Sequence, residues 1–398
     1  MRHSRQISIA VIILLAVIGC SFVLTGIWRD SRSADERLAE IEAARAIPDS
    51  ENAATIYNEL LRDPNAATPL AYVPESVDTQ IVGRTIREPW PSRDYPELGA
   101  WVKNYQSVID RLLEVSRFEK CRFPISIDVA VTSQMDRVVS MRQWGFLLSM
   151  VANNDIAEGR VEAAMAKWQG IVRMADHLRQ QPTMMDHLVA NPIAELALTS
   201  AARFVMSGDA TESHLRGIEA MGVPMKDRWA QHLDEVRLIE DLRSGKLTEQ
   251  FSLLDHVRYR LVSFRMKRAV NSTTGGALNQ SSSDAAGHRY HGCVAAARGV
   301  RILIALRRYK DANGHWPGSL DEIKPSLSEE ILTDPFNRGP FVYKPSGDTF
   351  RLYSRGRNNI DEDGRWESDA WESGVNDDWL VWPPPNRTRN PNSQGSSE

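Results

Sequence analysis

The chain has 398 residues, of which 42% are hydrophobic and 25% charged, and its formal net charge is −4. That length exceeds one ordinary domain, and the composition is that of a folded protein, not a disordered one. The charge balance gives no case for nucleic-acid binding. The three cysteines, Cys20, Cys121 and Cys293, make neither a ligand cluster nor a disulfide framework. Cys20 lies in the apolar N-terminus, so only Cys121 and Cys293 are left to pair, and nothing demands that they do.

Ile7–Trp28 is a run of 22 residues without a charge. As a helix it spans roughly 33 Å, enough for a hydrocarbon core of about 30 Å. Residues 1–6 form a short cationic head with Arg2 and Arg5. Together they predict a single-pass anchor in a bacterial inner membrane, with the N-terminus cytoplasmic and the bulk of the chain outside. A cleaved signal peptide fits less well, because its apolar region usually runs only about 7–15 residues. Val17-Ile18-Gly19-Cys20 resembles a lipobox, so a lipoprotein acylated at Cys20 is the alternative. Against it, Ser21–Trp28 stays apolar where a lipoprotein turns polar.

Residues 29–270 read as an irregular, mainly helical domain. Helical patterning covers 33–62 with a break at Pro48, and a proline-rich stretch from Pro64 to Pro96 reads as an extended surface segment. Helix resumes around Leu98–Arg117, and Ile125 to Val131 suits a brief strand or an extended connection. In 134–207, Met141, Trp144, Leu147, Leu148 and Val151 mark one apolar stripe, and Val161, Ala164, Met165, Trp168, Ile171 and Val172 another. Ala152, Gly159, Ala164 and Trp168 have the spacing of a tetratricopeptide-type hairpin, but no second copy follows, so an ordinary helical hairpin is expected. Asn191-Pro192 should open a new helix to Ser207, and Glu212–Met221 and Lys226–Arg243 continue the series. Leu253–Val270 is apolar and basic, and reads as a packed helix in preference to an interfacial one. Asn271–Gly287 has the Ser/Thr/Gly/Asn composition of a flexible linker.

Signs of catalysis are sparse. There is no G-x-S-x-G, Walker A, G-x-G-x-x-G after a strand, or H-E-x-x-H. His288 and His291 stand one helical turn apart without a third ligand at suitable spacing. Asp176-His177 and Asp186-His187 are adjacent on helices and so point to different faces.

From residue 288 the signals sharpen. His288–Asn313 reads as one amphipathic helix ended by Gly314, and Ser319-Leu-Asp-Glu322 is a capping box. Asp334-Pro335-Phe336-Asn337 is a turn, Phe341–Tyr343 and Thr349–Tyr353 are short strands around a Lys344-Pro-Ser-Gly347 turn, and Leu380–Trp382 is a last strand. Ser354–Trp382 holds five Asp and three Glu against three Arg. Asn358, Asp361 and Asp363 lie within six residues, between Gly356 and Gly364. Such a loop suits a hard cation, which wants several oxygen ligands from a chain that can bend round it. It equally suits a solvated acidic turn. Residues 384–398 read as a disordered tail.

The string Ala305-Leu-x-x-Tyr309-Lys-x-x-x-Gly314-x-x-Pro317, Leu320, Asp334-Pro335-Phe336, Phe341-x-Tyr343, Phe350-x-Leu-Tyr353-Ser354-x-Gly356 is similar to the C-terminal domain of the major pseudopilin of the type II secretion system. The resemblance covers about 288–382, and implies a small α+β domain: a long helix packed on a short antiparallel sheet. It also implies a structural Ca²⁺ in the loop after the last long strand, here with Ser354, Asn358, Asp361, Asp363, Asp377 and Asp378 as ligands. Asn358 stands where the family has Asp. The family's leader and its Phe-Thr-Leu-Ile-Glu sequence have no counterpart, and about 260 residues separate the apolar N-terminus from the module.

The expected architecture is therefore mainly α: a transmembrane helix at 7–28, a helical domain at 29–270, a linker at 271–287 and a pseudopilin-like module at 288–383. The expected function is that of a non-enzymatic envelope protein with a helical interaction surface, a calcium-stapled module and a protein partner in the envelope. Two alternatives stand beside it. One is an enzyme with its site in 29–270; the other is wall binding by Trp316, Trp366, Trp371, Trp379 and Trp382.

Overall fold

A computed structural model describes residues 34–125, 131–222, 229–230, 280–367 and 375–384. The apolar run at 7–28, the segments 231–270 and 271–279, and the tail from 385 lie outside the described residues. Among those described, no helix is long and apolar enough to cross a membrane. The chain divides into two compact units. Of the first, helix α1 (Ala34–Ala44) and Pro124-Ile125 are described, joined where the Ile125 N–H donates to Glu42 Oε1 at 2.8 Å.

The second unit is mainly helical, with one small sheet. It begins with α2 (Ala54–Arg62), α3 (Pro64–Ala67), α4 (Thr79–Thr85), α5 (Pro96–Asn104) and α6 (Gln106–Val115). The stretch from Pro64 to Pro96 is thus not simply extended. Proline suits the first helical position, and Asp63 and Asp78 cap α3 and α4 by accepting the N–H of Asn65 and Gln80 at 2.9 and 2.7 Å. Helices α7 (Val131–Ala157), α8 (Val161–Arg179) and α9 (Met184–Met206) make the centre. Ala152, Ala164 and Trp168 are fully buried, as a helical hairpin requires, and α7 ends at Gly159 with φ +75°.

Asn191-Pro192 does not open a helix but lies within α9. An internal proline costs about 3 kcal/mol or more. Here Asn191 Nδ2 donates to the His187 carbonyl at 3.1 Å, and Ala190, Ile193, Ala194, Ala197 and Leu198 are buried, so packing holds the helix straight through. The short α10 (Glu212–Glu219) follows behind a Thr211–His214 capping box.

Helix α11 (Gln280–Asn313) starts eight residues before His288, so the second half of the expected linker is helical. It ends at Gly314, φ +80°, as the glycine predicts. α11 is buried on more than one side: Val294, Ala297, Ile302, Leu303, Ile304 and Leu306 are buried together. One side packs on α9, the other on strands β2 (Thr349–Ser354) and β3 (Trp379–Trp382). The helical region and the 288–383 module, expected as separate domains, consequently share one core. Polar ties reinforce the join. Arg307 Nη1 donates to the Val205 carbonyl at 2.9 Å, and Arg308 pairs with Glu212 and Glu219 at 2.8 Å.

Gly292 and Gly299 lie two turns apart on the face of α11 that meets β3. A Cβ at either would come within 2.5 Å of Trp379 Cζ2 or 2.3 Å of Val381 Cγ1. The sheet is an antiparallel meander, β1 (Val342–Ser346), β2, β3. On β2, Phe350, Leu352 and Ser354 are buried, whereas Thr349 and Arg351 are exposed. Register pairs Lys344 on β1 with Arg351 on β2, so two cations stand directly opposite on the outer face. Like charges so placed repel. What offsets them is the acidic loop.

Candidate cation site in the acidic loop

Two short helical turns and α12 (Glu329–Leu332) deliver the chain to Asp334. Asp334 is fully buried and accepts the Phe336 N–H at 2.9 Å and Asn337 Nδ2 at 2.6 Å; it also bonds Ser354. Asn337 Nδ2 reaches on to the Gly356 carbonyl at 3.1 Å, and Ser354 Oγ accepts the Gly356 N–H at 2.9 Å. The Asp-Pro-Phe turn is therefore the anchor of the loop's first bend. Gly356, φ +60°, lies flat on Asp377, and a Cβ there would sit 2.2 Å from Asp377 Oδ1. No other residue fits.

From that bend the loop divides. Asp361 and Asp363 turn to the outer face of the sheet: Lys344 Nζ meets them at 3.0 and 2.9 Å, and Arg351 meets Asp363 at 3.0 Å. Tyr353 donates to Asp361 Oδ1 at 2.6 Å. These contacts hold both carboxyls below their ordinary range, the Tyr353 bond leading for Asp361 and the Lys344 bond for Asp363. They neutralise the Lys344–Arg351 pair.

Asp377 and Asp378 turn inward, at 1% and 0% exposure. Asp377 Oδ2 accepts the Arg357 and Asn358 N–H groups at 2.9 and 3.2 Å; Asp378 Oδ2 accepts those of Glu362 and Gly364 at 3.0 and 2.7 Å. Glu362, unremarked in the sequence, completes the inner group. It accepts Asn358 Nδ2 and the backbone N–H groups of Asn376 and Asp377 at 2.8–3.0 Å. Burial pushes Asp377 and Asp378 upward, Asp378 to about 6, and the Glu362 charge adds to it. The second oxygen of each, Asp377 Oδ1 and Asp378 Oδ1, is buried with no hydrogen-bond partner.

The six residues expected as ligands are thus spread over three roles: Ser354 and Asn358 brace turns, Asp361 and Asp363 serve as counter-ions, and Asp377 and Asp378 hold amides. Among the described residues no three His, Cys, Asp or Glu side chains form a group that could hold a metal ion. Two buried anionic oxygens do remain to be met, and their chemistry fits a hard cation. Of the inner group, Asp377 and Asp378 are among the expected ligands, whereas Glu362 is not, because burial and not spacing sets it apart from its neighbours. The Lys344–Arg351 pairing was in principle legible: each stands three residues from the end of a hairpin turned at Gly347-Asp348.

The other candidates have structural partners. His177 Nδ1 meets the Tyr57 hydroxyl and Nε2 the Phe118 carbonyl, both at 3.0 Å, and burial lowers its pKa to about 4. Asp186 takes Arg137 at 2.6 and 2.8 Å. His288 and His291 pack on Phe336. Cys121 and Cys293 are both buried and are not bridged to each other.

Fold and site together define a helical protein carrying a small antiparallel sheet crossed by an acidic loop. Comparison with family models, with curated proteins and with solved structures finds no match in any of the three.

Proposed function

We propose that the chain is a membrane-anchored, non-enzymatic protein of the bacterial envelope. In this reading the helical region offers an interaction surface for an envelope protein partner, and residues 288–383 form a pseudopilin-like module stapled by Ca²⁺. The observation that carries it is the pair of buried, unpartnered oxygens, Asp377 Oδ1 and Asp378 Oδ1, in the loop to which the resemblance assigns calcium. Every donor there is a hard oxygen, which favours calcium over softer metals. The order of elements supports it too: long helix, Asp-Pro-Phe turn, two-stranded hairpin, acidic loop, closing strand.

Bound calcium supplies positive charge and nothing more. Asp377 and Asp378 would hold it, while their Oδ2 atoms keep the turns at 357–358 and 362–364 in place. Repulsion among Asp377, Asp378 and Glu362 falls, and binding energy becomes folding energy. Because α11 belongs to the helical core, the test uses the full chain in detergent. Millimolar Ca²⁺ should raise the melting temperature over EDTA, and Asp377→Asn should remove the difference. Identical wild-type melts in the two conditions sink the calcium reading. The anchor at Ile7–Trp28 is tested separately: Cys20→Ala should leave the protein in the membrane fraction, and its release would favour the acylated form.

A further inference from the structure

Helices α7 and α9 lie side by side and run the same way. Arg137 meets Asp186 at 2.6 Å, a Cβ on Gly145 would lie 2.9 Å from Ile193 Cγ2, and Ser200 donates to Asn153, so the contacts step along both helices together. Each helix turns an apolar stripe away from the core, at spacings of three and four residues that keep to one face. On α7 the stripe is Met135, Val139 and Phe146, with Arg142 in the same row. On α9 it is Met185, Val189, Pro192 and Leu196, continued by Arg203. Met135, Val139 and Met185 are 38%, 44% and 37% exposed, three of the six large apolar side chains that stand exposed among the described residues. Phe146, Leu196, Arg87 and Arg203 line one shallow depression, so the two stripes open on the same side.

The charge on this face is positive. Arg87 and Arg142 are exposed and Arg203 is half-buried, and among the described residues no carboxylate forms an ion pair with any of them. Arg142 lies over the Phe146 ring at 5.2 Å and Arg203 bonds the Arg87 carbonyl, so both guanidiniums are held at the face. Of the acids nearby, Glu195 is buried, Glu88 is exposed beside Arg87, and Asp136 stands more than a quarter-turn round the helix from Met135. An apolar face set with arginines suits the interface of a bilayer that carries anionic lipid, where apolar side chains sink about 5–10 Å and cations meet the headgroups. The chain itself supplies proximity. In the anchor reading, residues 29–46 join Trp28 to Ile47, where the second unit begins, and eleven of them form α1. Such a connection reaches no further than about 40 Å. A unit tethered that closely meets the bilayer at high effective concentration. We propose that the α7–α9 face docks on the anionic surface of the membrane that holds the anchor, with Met135, Val139 and Met185 in the interface and Arg87, Arg142 and Arg203 on lipid phosphates. The inference rests on the anchor at Ile7–Trp28 and uses no residue of the acidic loop.

The test places a nitroxide on Val139→Cys, and separately on Met185→Cys, in the full chain carrying Cys20→Ala and reconstituted in vesicles of phosphatidylglycerol and phosphatidylcholine. Cys121 and Cys293 are buried and stay unlabelled. Ala166→Cys, at an exposed position of α8, is the reference. Collisions with oxygen, which concentrates in lipid, should exceed collisions with a nickel chelate, which stays in water, at 139 and 185 but not at 166. Arg142→Gln should lower the ratio of docked to undocked chain about fivefold, as expected for one arginine near an anionic surface. Flotation of the vesicles reports on the anchor separately. A chain that does not float with them overturns the anchor and the docking together, whereas one that floats with 139 and 185 as wet as 166 overturns the docking alone. Sites shielded from both reagents overturn it too, because a protein then covers the face. So does lipid contact that persists unchanged in pure phosphatidylcholine, since the arginines then contribute nothing. If one labelled variant does not fold, the other decides.

Discussion

The helical core and the acidic loop bury carboxylates in opposite ways. In the core, Asp186 faces Arg137 at 2.6 Å, Asp155 faces Lys167 at 2.6 Å, and Asp176 faces Arg179 at 2.7 Å. In the loop, Asp377, Asp378 and Glu362 face backbone amides and each other, while the nearby Lys344 and Arg351 are taken by Asp361 and Asp363. Amides orient a carboxylate but do not cancel its charge. A core built the first way needs nothing from solution, whereas among the described residues no cationic side chain forms an ion pair with Asp377, Asp378 or Glu362. That contrast is the physical basis of the calcium reading.

It sharpens first through packing. Trp144 is fully buried, stacks on Tyr57 at 5.7 Å and donates to the Ala66 carbonyl at 2.6 Å. Trp144→Ala should cost about 3–5 kcal/mol in urea unfolding, equally with and without calcium. A cost under about 1 kcal/mol would mean the core is far looser than its burial implies. Gly299→Val comes next, at up to about 3 kcal/mol, because Val381 has no room to move away from a side chain on α11. If that variant melts like wild type, the sheet does not rest on the helix as described.

The core also titrates differently. His177 carries a folded pKa of about 4 against an ordinary value near 6.5, since burial disfavours the imidazolium. A depressed value means that the unfolded chain takes up the proton first. Stability from this group is therefore complete above pH 6.5 and declines as pH falls toward 4, by about 2 kcal/mol at pH 5. His177→Gln should be less stable at pH 7.5 but flatter between pH 7.5 and 5. Parallel pH dependences in the two proteins would show that His177 does not titrate as its burial demands.

How much of this was legible depended on what defines each part. Apolar stripes are local, so α7, α8 and the end of α11 at Gly314 could be read from spacing. The Ser319–Glu322 capping box and the hairpin were readable for the same reason, and each appears in the structure, although β1 continues through Lys344, Pro345 and Ser346, where a turn was expected, and the chain turns at Gly347-Asp348 instead. Tertiary packing was not readable. Pro192 reads as a helix start and lies inside α9, and Gln280–Gly287 reads as linker and is helix, because buried neighbours outweigh local propensity. Within the loop, counting acids marked the right segment but not its division. Asp361 and Asp378 look alike in sequence; only the register that sets Lys344 against Arg351 separates counter-ion from buried anion.

That separation supplies the finest test. Asp361 is substantially exposed, and such ion pairs contribute roughly 0–1 kcal/mol. Asp361→Asn should lower stability by less than about 1 kcal/mol, since Asp363 still faces both Lys344 and Arg351. It should also leave the calcium-dependent rise in melting temperature intact, whereas Asp377→Asn abolishes it. A variant at 361 that loses the calcium response would mean that this carboxylate leaves Lys344 for the ion, making the acidic loop one site after all. Retention of the response at 361 with loss at 377 assigns the cation to the buried half alone and leaves the outer half to the sheet.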